Sequence, residues 1–145
     1  MQVLFLAQAK KVQKLCKAFG ATFIVNDAVD IALAVGADGV HLGQEDMQPI
    51  DARKRLGKNS IIGSTCNTLN ALERISNMPI DYIGFGPFSE TNTKKKHTKP
   101  LGLKPYKNLS TIPNLKPVVA IGGIHKNDFE SLFETNISGI ALSAF

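Results

Sequence analysis

Six short apolar runs, each separated from the next by a segment of helical periodicity, constrain the fold of this chain more than any other feature of its sequence. The runs are Thr22–Val25, Gly39–Leu42, Ser60–Ser64, Asp81–Phe85, Pro117–Ile121 and Gly139–Leu142. Each is short, apolar and rich in β-branched or aromatic side chains, so each reads as a strand. Between them, Val12, Leu15, Cys16 and Phe19 recur at i, i+3, i+4 and i+7, and further helical patterns cover Ile31–Val35, Ile50–Leu56, Leu69–Ile75, Lys104–Leu109 (weakly) and Asp128–Phe133. Unbroken alternation of this kind implies parallel strands joined by right-handed crossovers, with helices covering the sheet.

Two stretches repeat one form: GADGVHL (Gly36–Leu42) and NISGIAL (Asn136–Leu142) each put a Gly- or Asn-containing turn after a helix and before a buried strand. Both are expected to end the helix in the left-handed region and to let strand and helix approach closely at the small residue. The repeated unit favours a closed barrel, which needs eight strands. The chain opens inside a helical pattern and stops just after the last apolar run. The expectation is an α/β fold of the TIM (β/α)8 type, truncated to about six βα units, with the two N-terminal strands and the C-terminal helix missing. It would form one partial domain over residues 1–145. Open edges make self-association through them a further expectation.

Composition narrows the function classes. With 43% hydrophobic and 20% charged residues in 145, the chain has the makings of one folded core. Its formal charge of +5 favours anionic ligands, either phosphates or nucleic acid. No apolar run approaches the roughly 20 residues that span a bilayer, and the lysines near the start follow the apolar stretch instead of preceding it. A cytoplasmic protein with no membrane partner is expected. Cys16 and Cys66 form no C-x-x-C pair, so two reduced thiols are expected.

In a barrel of this kind the site is built by the loops at the carboxyl ends of the strands. Asn26 and Asp27 come after the first run, Gly43 to Asp46 after the second, and Thr65, Cys66 and Asn67 after the third. Asp27 and Asp46, from consecutive strand ends, suit a pair of carboxylates holding one Mg²⁺ that keeps its other positions for water and phosphate. They equally suit helix capping, since each precedes a helical pattern. The fourth run leads into GPFSETNTKKKHTKPLG, where Thr91, Thr93 and Lys94 to Lys96 combine hydroxyls with cations, as an oligophosphate requires. A solvated basic loop is the plain alternative. The loop has none of the interleaved aromatics that a single-strand binder stacks on, so no nucleic acid partner is expected. Gly122-Gly123 after the fifth run and Ser143 after the sixth could offer backbone N–H groups to a phosphate. His41, within a strand, reads as a satisfied core residue, and Cys66 as a small buried hydrophobe.

The stretches FIVNDAVDIALAVGADGVHLGQEDM, IIGSTCNT, DYIGFGPFSETNTKKK and VVAIGGI, in this order, resemble the thiamine-phosphate synthases, and the similarity runs from about Leu15 to Ala144. The resemblance implies a transferase of thiamine biosynthesis, joining hydroxymethylpyrimidine pyrophosphate to a thiazole phosphate and releasing pyrophosphate. By the same resemblance Asp27 and Asp46 bind Mg²⁺, and Asn26 and Lys94 contact the pyrimidine pyrophosphate. Thr65 keeps the hydroxyl of the family's usual serine, and with Lys94 would be catalytic. Thr91 and Thr93, with Gly123 and the Leu142-Ser143 turn, would hold the thiazole phosphate. The chain departs from the family in lacking the first strand and a second strand carrying a Gln-x-Arg-x-Lys pattern. Ala28 stands where an arginine is usual and Lys96 where an aspartate is common. The related thiazole tautomerases carry a histidine near the position of Asn67; they, and an inactive phosphate-binding remnant, are the alternatives.

Overall fold

The structure, a computed structural model, describes residues 2–91 and 99–143. In chain order the elements are α1 (Gln2–Phe19), β1 (Ile24–Asn26), α2 (Val29–Val35), β2 (Gly39–Leu42), α3 (Pro49–Leu56), β3 (Ile61–Cys66), α4 (Leu69–Ser76), β4 (Tyr82–Phe85), α5 (Lys104–Lys107), β5 (Val118–Ile121), α6 (Phe129–Phe133) and β6 (Gly139–Ala141). One-turn 3₁₀ segments at Leu109–Thr111 and Lys126–Asp128 flank α5 and α6. The strands hydrogen-bond in the order β1-β2-β3-β4-β5-β6, the sequential order that repeated βα units produce. The chain divides into two compact units, Met1–Gly63 and Ser64–Phe145.

In the first unit β1 and β2 run parallel, with Val25 opposite Val40 and Asn26 opposite His41. Val40, Leu42, Ala52 and Ile62 are fully buried, while His41 is half-buried on its strand. Gly36 ends α2 at φ +63, the left-handed stop expected of it. A Cβ on Gly39 would overlap the Ile61 carbonyl, so the close approach it permits is of strand to strand, not strand to helix. The helix α1 forms, but not with the buried face its periodicity indicated: Val12, Leu15 and Phe19 are exposed, along with Val3, Leu4 and Phe5, and it is Ala9 that is buried. The apolar stripe lies beyond the surface on which α1 packs against α2.

In the second unit β4 pairs with β5 and β5 with β6, all parallel, placing Phe85 beside Ala120 and Ile121 beside Ala141. Its core is Cys66, Leu72, Ile83, Phe85, Tyr106, Leu109, Val118, Ala120 and Leu132. α4 begins at Thr68, whose Oγ1 accepts from the Ala71 N–H at 3.2 Å, the side-chain cap that a threonine before an apolar periodic run supplies. The second copy of the repeated motif departs from the first. Asn136 does not adopt positive φ, because α6 closes instead through Glu134 in the right-handed region, and a Cβ on Gly139 would meet nothing within 4 Å.

Candidate active site

The acidic residues belong to the first unit. Asn26, expected just beyond the strand, is the last residue of β1 and is exposed. Asp27 follows at φ +66, unusual for a residue with a Cβ. Its own N–H donates to the His41 carbonyl at 2.9 Å, and the Ala28 N–H donates back to the Asn26 carbonyl at 2.7 Å, closing a three-residue turn around Asp27. The capping alternative does not hold for Asp27: Ala28 occupies the cap position of α2, with no side-chain cap bond. Nor is Asp46 the cap of α3, which starts from Gln48. Its Oδ2 instead accepts from the Gly43 N–H at 2.6 Å, tying the carboxylate to the residue that follows β2. Both carboxylates therefore stand at the carboxyl ends of two paired strands.

Their fit to a metal can be judged from the donors alone. Carboxylate oxygens are hard ligands, and with Oδ2 of Asp46 engaged by an amide, Oδ1 faces no other partner among the described residues. No cluster of three or more His, Cys, Asp or Glu side chains occurs among the described residues. Asp27 and Asp46 offer hard donors of the kind that a cation such as Mg²⁺ takes while keeping water and phosphate oxygens in its sphere.

The second unit holds the remaining residues. Thr65 is half-buried on β3, and Asn67 follows the strand. Cys66 between them is 1% exposed, its thiol donates to the Thr68 carbonyl at 3.1 Å, and burial pushes its pKa up. An inert thiol results. Thr91, half-buried, is the last described residue of its loop, and Thr93, Lys94 and Lys96 lie outside the described residues.

Gly122 and Gly123 take φ +89 and +65 where the chain leaves β5. A Cβ on Gly123 would lie 2.5 Å from the Glu90 carbonyl oxygen and 2.7 Å from the Ser89 carbonyl, so only glycine lets this turn pass the segment leading to Thr91. Backbone bonds hold the two loops together: Phe88 N–H to Ile121 C=O at 2.9 Å and Ser89 N–H to Gly122 C=O at 3.0 Å. Leu142 and Ser143, both exposed, leave β6 one residue beyond its register with Ile121. Gly123 thus lies against the segment leading to Thr91, and Leu142 and Ser143 follow the strand paired with β5.

One contributor escapes a reading of the sequence. Tyr106, in the weak pattern around Lys104–Leu109, is fully buried, and its hydroxyl donates to the Phe85 carbonyl at 2.6 Å. An aromatic three residues before Leu109 is the available signal, but nothing in the spacing indicates a partner 21 positions away.

The sequence profile of the thiamine monophosphate synthase family matches residues 2–144. The chain belongs to that family. Among members of the synthase family, the thiamine-phosphate synthase of Phocaeicola vulgatus is 46% identical over 142 residues, covering 94% of this chain and 67% of that protein. The thiamine-phosphate synthase of Chlorobium phaeobacteroides is 45% identical over 136 residues, covering 94% and 66%. Thiamine phosphate pyrophosphorylase from Pyrococcus furiosus matches in three dimensions with a TM-score of 0.85 at 33% identity, over 98% of this chain and 67% of its own. A structure described as native KDPGal, 15% identical with a TM-score of 0.67 over 90% of this chain and 62% of that one, shares the fold. The chain spans about two thirds of the length of the curated relatives it matches. Its fold is the α/β TIM type of the synthase family, with six strands among the described residues.

Proposed function

We propose that this chain is a thiamine-phosphate synthase, condensing 4-amino-2-methyl-5-hydroxymethylpyrimidine pyrophosphate with a thiazole phosphate to give thiamine phosphate and pyrophosphate. What supports the reading is the 46% identity to a thiamine-phosphate synthase sustained over 94% of the chain. Asp27 and Asp46 would hold Mg²⁺, whose charge, when bound, offsets that of the pyrophosphate. Asn26 donates its amide to the pyrimidine substrate, and Lys94 and Thr65 supply a cation and a hydroxyl to the pyrophosphate oxygens as negative charge develops there. The bond from methylene carbon to pyrophosphate oxygen breaks with its electron pair on oxygen, and the aminopyrimidine ring stabilises the resulting cation. The thiazole nitrogen, positioned through its phosphate by Thr91, Thr93, Gly123 and the Leu142-Ser143 turn, then donates its lone pair to that carbon. Positioning and electrostatics supply the rate, with no protein nucleophile.

We take the chain to act as one domain in the cytoplasm, on small phosphorylated substrates without nucleic acid or membrane partners. Among the described residues no helix is long and apolar enough to cross a membrane. Self-association, expected through the open edges, belongs to the same proposal, and the exposed Leu4, Leu15 and Phe19 of α1 offer it a second apolar surface. The test is to incubate the purified chain with the two phosphorylated heterocycles and Mg²⁺, and to quantify thiamine phosphate against an Asp46→Ala control. Product that disappears in the variant supports the reading; no product from folded wild-type chain overturns it.

A further inference from the structure

The long loop that follows β4 is tied at its base. Leu101 N–H donates to Pro87 C=O and Gly102 N–H to Phe88 C=O, each at 2.9 Å, so the outgoing and returning stems are paired. Tyr106 lies just beyond the returning stem. Its hydroxyl donates to the Phe85 carbonyl at 2.6 Å, and its ring meets those of Phe85 and Phe88 at centroid distances of 5.0 and 5.7 Å. Phe85 is the last residue of β4, so the hydroxyl holds the chain where it leaves the sheet. Phe88 is the same residue whose N–H bonds Ile121 and whose carbonyl accepts from Gly102. One side chain therefore grips both ends of the segment 85–88, and Ser89 and Glu90 are in turn the backbone against which Gly123 fits.

A ring alone would fill this volume; the hydroxyl adds a directed bond across 21 residues. Removing it leaves the packing intact and frees a buried strand-end carbonyl, so the loss is felt first at Phe85 and next along the stem to Thr91. We propose that Tyr106 is a positioning residue, holding the Phe85–Glu90 stem in the register that brings Thr91 and Gly123 to one phosphate group. The identity of that phosphate, a thiazole phosphate, rests on the proposed function; the grip on the stem does not.

The test is Tyr106→Phe in the full chain, read in two ways. Amide hydrogen exchange at Ser89, Leu101 and Gly102 is expected to speed up by about tenfold, with first-unit amides such as Ala37 unchanged. By calorimetry the dissociation constant of thiazole phosphate is expected to rise by about tenfold. Exchange that is unaltered, or faster throughout, overturns the proposal, as does faster stem exchange with unchanged thiazole phosphate affinity. Loss of the far-ultraviolet circular dichroism signal would also overturn it, marking Tyr106 as a residue of general stability. Wild-type chain that binds no thiazole phosphate refutes the proposed function and the phosphate half of this inference, and the exchange comparison still decides whether Tyr106 holds the stems.

Discussion

Replacing Gly123 by alanine isolates the contact between the two loops of the second unit. The added methyl would sit 2.5 Å from the Glu90 carbonyl oxygen and 2.7 Å from both atoms of the Ser89 carbonyl. These are backbone atoms, and Ser89 is fastened to Gly122 by a 3.0 Å hydrogen bond, so neither loop yields by turning a side chain. The residue also holds φ +65, where an L-alanine costs about 1–2 kcal/mol relative to glycine. Overpacking against fixed neighbours adds about 1–3 kcal/mol. The expected loss is therefore about 2–5 kcal/mol, a fall of roughly 5–15 °C in the melting midpoint for a chain of this size.

Gly139→Ala is the matched control, because a Cβ there meets nothing within 4 Å and the φ is not positive. It should leave the midpoint unchanged or raise it, by less than about 1 kcal/mol. Thermal melts followed by circular dichroism, with urea titrations of the same variants, measure both. If Gly123→Ala melts within a degree or two of Gly139→Ala, the two loops do not hold the apposition described and the phosphate arc built on it fails.

At the acidic end, Asp27→Gly should change stability by no more than about 1 kcal/mol, since glycine accepts positive φ freely, yet abolish Mg²⁺-dependent product formation; urea melts and a Mg²⁺ titration check the two halves. Asp46→Asn keeps an oxygen for the Gly43 N–H and so should retain the turn and the melting midpoint, while turnover falls by about a hundredfold or more in the thiamine phosphate assay. Burial raises the pKa of Cys66 above 9.0 and those of Tyr82 and Tyr106 above 10.0. The unfolded chain ionises these groups first, so stability is full below pH 9.0 and declines as pH rises past 9.0 and 10.0, which denaturant midpoints across pH 7 to 11 would show. Phe19, 83% exposed on α1, should tolerate Phe19→Lys without loss of stability and lower the apparent mass in concentration-dependent light scattering; wild-type chain that is already monomeric at high concentration sinks the self-association reading.

The alternation of strand and helix is fully legible in the sequence, because it rests on side-chain periodicity, a local property. Each strand lies within two residues of its apolar run, and β3 reaches Cys66, whose carbonyl accepts from the Gly86 N–H at 3.1 Å. The buried face of α1 is not legible, because which stripe of an apolar helix is covered depends on what packs against it. The two glycines of the repeated motif make the same point. Gly39 sits on a strand with β3 beyond it and crowds Ile61, whereas Gly139 sits on the last strand of the order and has open space. Identical local sequence logic yields one true close approach and one empty one. Tyr106 is hidden for a related reason, since its partner is fixed by tertiary structure alone.

The first unit's carboxylates show how backbone geometry weighs a structural role against a functional one that the sequence leaves balanced. An N-capping aspartate would stand at the cap of α2 with an extended backbone. Asp27 stands one residue earlier, at positive φ, and the cap position is left to an alanine with no side-chain bond. Aspartate adopts positive φ more readily than most residues with a Cβ. Asp46 departs from the capping role differently, spending one oxygen on the Gly43 amide and thereby fixing the direction of the other. Neither residue therefore stands at the N-cap of the helix that follows it, which is left to Ala28 and Gln48.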